Sequence, residues 1–398
     1  MKQVIIICHD PLTVNIRKNF YIGALQDAGI DVKYWDVSSL VHKEHKLSDE
    51  LDLDLITRVK GFEAFRLLLQ QPSAASAVYI VELYPKPSAL SLIDLLNALN
   101  YTYLRIESYF GSSIPLSNKQ RLILLWQQLI RGKLKDRLQL MWRAKVLKKP
   151  NTVKFARMFS VRPPGGTSFE KFVPINGLDY ERYMVVEDQY AGKVSAEGPP
   201  LELPSRYVVF LDEYLPYHPD FKVLVGYAHV DADRYLDQMN SFFSLIEQKY
   251  GVEVIIAGHP KSEYAPEAFQ HRRIIKYRTP ELTRAAAFVI AHASLSFHYA
   301  ILWHKPVVIC YTEDLKRCNP LGYMIIRYRA AMLQVPAFCL DDLKGFELPE
   351  VNTEAYKKFK YEYLTNPETE ERYNHEIVVQ EILQLFDAGQ EVEQKEAT

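Results

Sequence analysis

The sequence predicts an α/β protein of two domains, each with a parallel β-sheet between helices. The chain has 398 residues, well above the roughly 100–200 residues of a single domain. Short, continuously apolar runs alternate with stretches of helical periodicity, which is typical of parallel strands that are buried on both faces. This alternation occurs once before and once after a polar segment at 187–206, which we expect to link the domains.

The first domain is expected over 1–190 and opens with the β-α-β pattern of a Rossmann-like half. QVIIIC at 3–8 is a β-branched run, an amphipathic stretch at 15–28 ends at Gly29, and DVKYWD at 31–36 follows as a second strand. The further elements expected here are strands at 77–83, 101–106, 153–160 and 171–175, and helices at 61–70 and 88–99.

The second domain is expected over 205–390 and repeats this rhythm. Strands are expected at 207–213, 253–260, 287–294 and 306–312, and helices at 231–250, from Pro280, and at 296–303, 354–364 and 369–387. The strands are continuously apolar and end in polar residues, so their carboxyl ends are expected to line a ligand crevice. We therefore expect two Rossmann-like domains that face a central cleft.

Composition and charge narrow the class of protein. The chain is 48% hydrophobic and 24% charged, with a formal net charge of -1 at pH 7, which argues against a nucleic-acid partner. Its four cysteines lack CxxC spacing, and the apolar run VIIIC is too short for the core of a signal peptide. We expect a cytoplasmic protein.

The segment 118–150 has a different character from the rest of the chain. Leu, Ile and Trp recur at helical spacing, and ten Lys or Arg residues stand against one acid, Asp136. One interpretation is a core-facing helical pair with a solvated basic face. The other is peripheral docking to anionic lipid head groups on the inner face of the cell membrane.

Polar residues follow three strands of the second domain. These strand ends are Asp212-Glu213, His259-Pro260 and Ser294 with Ser296. Sequential strands of a doubly wound sheet usually lie close together, so these groups are expected to converge. The convergence predicts a ligand site at the carboxyl edge of this sheet.

Each of these residue types suits a distinct task. Ser294 and Ser296 precede a short helix, where they either bind a phosphate or only cap the helix. His259 is either a structural histidine or a phosphate ligand that assists a leaving group. Asp212 and Glu213 are either a solvated pair or the source of a general base for an acceptor hydroxyl.

Asp10 is the main alternative as base. It ends the first strand of the other domain and is expected to face the cleft from that side. His9, Glu82 and His218 are further candidates of the same kind, because each also lies near a strand end.

In order and spacing, the three motifs are similar to the acidic, His-Pro and Ser/Thr motifs of bacterial sialyltransferases and related Kdo and nonulosonate transferases. Those families have the GT-B fold. The resemblance implies that Asp212 is the catalytic base, that His259 is a phosphate ligand and acid, and that Ser294 and Ser296 bind phosphate. Tyr214 stands where those families have a glycine, and Lys261 follows the His-Pro pair.

The resemblance implies transfer of a CMP-activated acid sugar to a glycan or glycolipid acceptor. The site residues expected to bind this nucleotide sugar are His259, Pro260, Lys261, Ser294 and Ser296. We expect no cofactor and no metal, because the leaving group carries one phosphate that hydroxyls and an imidazole can stabilise. The Asp231-Ala232-Asp233 match lies at a predicted helix start, where acids are common.

Two other classes remain open from the sequence. One is a UDP- or GDP-sugar transferase or a sugar-nucleotide epimerase of the same architecture, since fold does not decide chemistry. The other is a non-catalytic protein that binds glycans or scaffolds their assembly. Nucleotide binding distinguishes the scaffold from both enzymes.

Overall fold

The computed structural model describes residues 2–41, 51, 53–107, 134–195, 199–218 and 230–396. This part of the chain divides into two compact units. The first contains the described residues up to Leu178 and those from Thr365 onward, and the second contains the described residues from Asp179 to Leu364.

The first unit is built on a parallel sheet. Among the described residues it has seven strands in the order β3-β2-β1-β4-β5-β6-β7. Their bounds are β1 Gln3–Cys8, β2 Asp31–Asp36, β3 Ile56–Arg58, β4 Val78–Glu82, β5 Thr102–Glu107, β6 Phe155–Ser160 and β7 Phe169–Pro174. The helices of this unit are Val14–Asn19, Ile22–Asp27, Ser38–Val41, Phe62–Leu69, Pro72–Ala75, Leu90–Leu99, Leu134–Lys145 and Asn374–Glu396.

Apolar residues cover both faces of this sheet, as the continuous apolar runs predict. In β1, Val4 and Ile6 belong to one core cluster, whereas Ile5 and Ile7 belong to another. The helix expected at 15–28 is broken in two, because Tyr21 adopts a left-handed backbone conformation with φ 54°.

The second unit contains a second parallel sheet. Among the described residues it has six strands in the order β10-β9-β8-β11-β12-β13. Their bounds are β8 Tyr207–Leu211, β9 Glu253–Gly258, β10 Ile274–Lys276, β11 Val289–Ala291, β12 Val307–Tyr311 and β13 Ala337–Cys339. The helices are Leu178–Tyr190, Ala232–Tyr250, Thr279–Ala285, Phe297–Leu302, Glu313–Cys318, Pro320–Leu333 and Thr353–Phe359, the last continuing as a π-helix at Lys360–Leu364. The predicted α/β class with two Rossmann-like units is confirmed.

The limits of the compact units differ from the expected domains 1–190 and 205–390 at two places. The helix Leu178–Tyr190 lies almost wholly in the second unit, although the expected linker began at 187. Asp179 explains this, since its carboxylate contacts His298 and Tyr299 of the second unit.

The last helix, Asn374–Glu396, belongs to the first unit. Ile377, Val378 and Ile382 are buried in the same core cluster as Val4 and Ile6 of β1. An apolar helix face is most stable where it buries the most surface, and here that surface is the first sheet.

Strand order reverses once in each sheet, between β1 and β4 in the first and between β8 and β11 in the second. In an open α/β sheet, the connections after the two strands at such a switch point leave on opposite faces, and a crevice opens at their carboxyl ends. Ligands of these folds bind there, so each unit presents one such position.

The described part of the basic segment is 134–150, which contains the helix Leu134–Lys145, and residues 118–133 lie outside the described residues. Arg143 anchors this helix through an ion pair with Asp94, and Leu140 packs on the first-unit core. No helix in the described ranges is long and apolar enough to cross a bilayer.

Candidate functional site

The three polar strand ends of the second unit lie side by side. Leu211 of β8 is paired with Ala257 of β9 and with Ala291 of β11, so the three strands end within one residue of the same level. Asp212, Gly258 and His292 directly follow these paired residues. Neighbouring strands are about 4.8 Å apart, so the loops on either side of β8 are separated by roughly two strand spacings, or about 10 Å. The structure therefore brings the β8, β9 and β11 ends together.

Asp212 ties the end of β8 to the loop after β9. It is only 5% exposed, and its carboxylate accepts hydrogen bonds from the Tyr214 amide at 2.9 Å and the Tyr264 hydroxyl at 2.8 Å. The His259 amide donates a third, at 3.1 Å. Burial raises the pKa of Asp212. A carboxylate with these partners orders two loops around itself.

Tyr214 explains why a glycine suits this position in the acidic motif. Its φ is 54°, in the left-handed region that a glycine adopts with little strain. The tyrosine ring packs edge-on against Tyr264, with ring centroids 5.0 Å apart. This contact stabilises a backbone conformation that costs a non-glycine residue about 1–2 kcal/mol.

Glu213 ties the same strand end to the loop after β11. Its Oε1 accepts a hydrogen bond from the Ala293 amide, and Arg329 donates to the Ala293 carbonyl. Burial raises the pKa of Glu213 to about 7. Burial also lowers the pKa of Arg329 to about 10. Glu213 and Arg329 thus hold the amide and the carbonyl of one residue in the β11 loop.

His259 has a defined orientation at the end of β9. Its Nδ1 accepts a hydrogen bond from the Lys261 amide at 3.1 Å, so the neutral ring carries its proton on Nε2. The His218 ring packs edge-on against it, with centroids 4.7 Å apart. His218, one of the candidates that the sequence offers as a base, is therefore a neighbour of His259.

Gly258 permits this geometry, because a Cβ there would lie 2.7 Å from Ile274 Cγ2 of β10. A larger residue would push β10 away from the strand end. In the sequence, the glycine that directly precedes His259 and Pro260 is the feature that indicates this close approach of β10.

Ser294 and Ser296 lie in the loop after β11. The Ser294 hydroxyl accepts a hydrogen bond from the Ser296 amide at 3.3 Å, and the Ser296 side chain makes no capping hydrogen bond. The helix after them, Phe297–Leu302, has only six residues. Its dipole is correspondingly small, so hydroxyls rather than the helix end are the main polar groups of this loop.

A cavity of about 200 Å³ lies beside Glu213. Apolar side chains dominate its wall, and Glu213, His292 and Asn319 are its polar members. Asn319 Oδ1 caps the following helix by accepting from the Gly322 amide at 2.8 Å. The apolar lining residues are Leu215, Ala293, Leu315, Leu321, Ile325 and Ile326. No short sequence motif indicates this cavity, because its wall comes from three separate segments, 213–215, 292–293 and 315–326.

His292 is a core residue that also borders the cavity beside Glu213. It is 1% exposed, and its ring nitrogens contact the Cys310 carbonyl at 2.7 Å and the Tyr235 hydroxyl at 3.0 Å. Burial lowers the pKa of His292 to about 4, so the ring is neutral at pH 7.

Asp10 belongs to the first unit, at the end of β1. The structure groups Asp212, Glu213, His259, Ser294 and Ser296 in the second unit, with Pro260 and Lys261 in the His259 turn.

Asp231 caps the helix Ala232–Tyr250 by accepting from the Arg234 amide. This is the role expected of an acid at a helix start.

No protein-family model and no curated protein matches the sequence. Among solved structures, the chain is similar to a glycotransferase of kitacinnamycin, at 10% identity over 98% of each chain and a TM-score of 0.48. It is also similar to the wall teichoic acid polymerase TagF, at 10% identity over 98% of this chain and 90% of that chain, with a TM-score of 0.48. A third is the UDP-GlcNAc 2-epimerase from Methanocaldococcus jannaschii, at 11% identity over 90% of this chain and 98% of that chain, with a TM-score of 0.40.

Proposed function

We propose that this chain is a glycosyltransferase whose nucleotide-sugar donor binds at the switch point of the second sheet. The observation that carries the proposal is that two acidic residues after β8 accept hydrogen bonds from the loops on either side of that strand. Asp212 holds the His259 loop on one side, and Glu213 holds the Ala293-Ser294 loop on the other. Fixed polar loops at a switch point are the usual place for a nucleotide in this type of sheet.

The phosphate would lie between the His259 turn and the Ser294 loop. The Nε2 proton of His259 and the hydroxyls of Ser294 and Ser296 are donors of the kind that phosphate oxygens accept. Lys261 is exposed in the same turn as His259 and adds a positive charge. These groups would stabilise the charge that develops on a departing phosphate.

The nucleobase would enter the cavity beside Glu213. Apolar side chains form most of its wall, and a flat heteroaromatic ring needs such a wall with a few polar groups at its edge. Asn319 and Glu213 are the polar groups available for that edge, since the ring nitrogens of the third polar lining residue, His292, already contact Cys310 and Tyr235. Burial raises the pKa of Glu213 to about 7, so near neutral pH its carboxyl both donates and accepts.

The donor that best suits this site is a CMP-activated acid sugar, such as sialic acid, Kdo or a related nonulosonate. Its leaving group is a monophosphate, which a few hydroxyls and one imidazole can bind without a metal ion. We propose a metal-independent displacement for this reason. The acceptor would be a glycan or glycolipid.

Asp212 has a different role in this proposal from the one that the motif resemblance implies. Its carboxylate already accepts three hydrogen bonds, and it is buried. A general base must reach the proton that it removes. We therefore propose that Asp212 holds the loops that bind the donor in place, and that it is not the general base.

A panel of nucleotides tests the proposal. We expect CMP to raise the melting temperature of the purified chain more than CDP, UDP or GDP at equal concentration. Ligand at 100 times its Kd stabilises the folded state by about 2.7 kcal/mol. Selective stabilisation by UDP or GDP would keep a transferase or epimerase and overturn the CMP donor. No stabilisation by any of the four would contradict the nucleotide site itself.

Anionic lipid is the proposed partner of the described part of the basic segment. Leu138, Met141 and Trp142 are exposed at 53%, 42% and 54%. Their spacing of three and four residues places them on one face of the helix Leu134–Lys145. Exposed Lys135, Arg137 and Lys145 accompany them. An apolar stripe among cations is typical of a helix that lies on an anionic bilayer surface. This would put the protein on the inner face of the membrane, where a glycolipid acceptor would be found.

Vesicle flotation is expected to show binding to anionic but not to neutral vesicles. Replacing Lys135, Arg137 and Lys145 with Gln should weaken binding by roughly 100-fold, since each cation near the surface contributes about 1 kcal/mol. The charge-matched control replaces the exposed residues Lys344, Lys357 and Lys358 of the second unit and should bind like the wild type. Equal loss in both triple variants would show that only net charge matters.

A further inference from the structure

The loop after β11 is continuous with a helix that is too short to hold its own position. That helix, Phe297–Leu302, has six residues, and isolated helices of fewer than about 12 residues are marginal in water. Three amides of its first turn donate to carbonyls of the loop. These pairs are Phe297 with Ser294 at 3.4 Å, His298 with Leu295 at 3.0 Å, and Tyr299 with Ser296 at 3.1 Å. The position of the loop therefore depends on the groups that hold this first turn.

One carboxylate holds two side chains of the first turn. Asp179 Oδ2 contacts His298 Nδ1 at 2.8 Å, and Asp179 Oδ1 accepts a hydrogen bond from the Tyr299 hydroxyl at 3.0 Å. His298 and Tyr299 are 6% and 3% exposed, and the side chain of Asp179 is 22% exposed. Because little solvent reaches these groups, removing the carboxylate leaves buried polar groups unsatisfied rather than bound to water.

Asp179 belongs to one face of the helix Leu178–Tyr190. Asp179, Tyr183 and Glu187 recur every four positions, so they lie on the same side of that helix. Tyr183 and Glu187 contact Trp303, which directly follows the short helix. The two rings lie 5.2 Å apart between centroids, and Glu187 Oε1 accepts from the Trp303 Nε1 at 2.8 Å. Two carboxylates of one face thus hold opposite ends of the short helix, and Asp179 acts at the end that carries the loop.

We propose that Asp179 is a positioning residue for the donor site of the second unit. It holds the first turn of Phe297–Leu302, and through that turn it fixes the backbone that carries the hydroxyls of Ser294 and Ser296. The inference rests on the proposed function for the identity of the ligand, whereas the order of the loop follows from the contacts above alone. Asp179 thus acts on a bound phosphate only through this loop.

Hydrogen-exchange mass spectrometry and nucleotide titration of the full chain test the proposal. The matched control for Asp179→Ala is Glu187→Ala, which removes the carboxylate at the other end of the short helix. The nucleotide is the one among CMP, CDP, UDP and GDP that raises the melting temperature most. In Asp179→Ala we expect the amides of 294–299 to exchange about tenfold faster and the nucleotide to bind about tenfold more weakly, the effect of losing a hydrogen-bonded carboxylate. In Glu187→Ala both values should match the wild type.

The outcomes separate this inference from the proposed function. Wild-type exchange over 294–299 in Asp179→Ala would overturn the positioning role whether or not a nucleotide binds, and so would equally fast exchange in Glu187→Ala. Faster exchange with unchanged nucleotide affinity would also overturn it, because the loop would then not set that affinity. Faster exchange confined to Asp179→Ala, in a protein whose wild type binds none of the four nucleotides, would support the ordering of the loop and contradict the proposed function.

Tyr299→Phe provides the test if Asp179→Ala does not fold. It removes only the hydroxyl that donates to Asp179 and keeps the buried ring. We expect about threefold faster exchange over 294–299, since one of the two contacts of the carboxylate is lost. Exchange at the wild-type rate in Tyr299→Phe would overturn the proposal.

Discussion

Replacing Asp10 with Asn is expected to lower sugar transfer by about 10²–10⁴-fold, the usual effect of losing a general base. The substitution keeps the size of the side chain and removes the carboxylate that would accept the proton of the acceptor hydroxyl. Asp10 is 46% exposed and lies in the first unit, so nucleotide affinity should stay at the wild-type value. The donor in this assay would be the sugar nucleotide that contains whichever nucleotide raises the melting temperature of the chain most.

Asp212→Asn is the matched comparison and is expected to behave differently. The amide group of asparagine cannot accept a hydrogen bond on its nitrogen, so at least one of the His259 amide, Tyr214 amide and Tyr264 hydroxyl loses its acceptor. An unsatisfied buried group costs about 1–3 kcal/mol. We therefore expect lower stability and weaker nucleotide binding, with turnover largely kept at saturating donor. Full nucleotide affinity with abolished turnover would instead identify Asp212 as the base.

The strand β1 and the convergence of three polar strand ends in the second unit could be predicted from the sequence. The apolar run at 3–8 matches β1 residue for residue, because a strand buried on both faces needs such a run. The neighbours of Asp212 could also be anticipated, since the strand on each side of β8 is followed by polar residues. Local patterns were sufficient for these features.

The hydrogen bonds of Asp212 could not be predicted from the sequence. Tyr264 lies 52 residues from Asp212 and carries no motif, yet its hydroxyl decides whether the carboxylate is available to a substrate. Contacts between distant segments set these roles, and spacing along the chain does not report them.

The limits of the units depend on packing in the same way. The last helix, Asn374–Glu396, follows the second sheet in the sequence but contributes Val378 and Ile382 to the core of the first. Its amphipathic pattern predicts a buried face and does not say which sheet covers it.

The nucleotide site depends most directly on His259. Its Nδ1 already accepts the Lys261 amide, so the Nε2 proton is the group offered to a phosphate. His259→Ala removes that donor, and hydrogen bonds to charged groups contribute about 1.5–3 kcal/mol, which corresponds to roughly 10–100-fold in Kd. His271, an exposed histidine of the same unit, provides the matched control.

The decisive measurement is a calorimetric titration of CMP into wild type, His259→Ala and His271→Ala. A nucleotide bound at the switch point of the second sheet predicts at least about tenfold weaker binding to His259→Ala and unchanged binding to His271→Ala, with all three chains folded. Equal CMP affinity in His259→Ala and wild type would contradict the site.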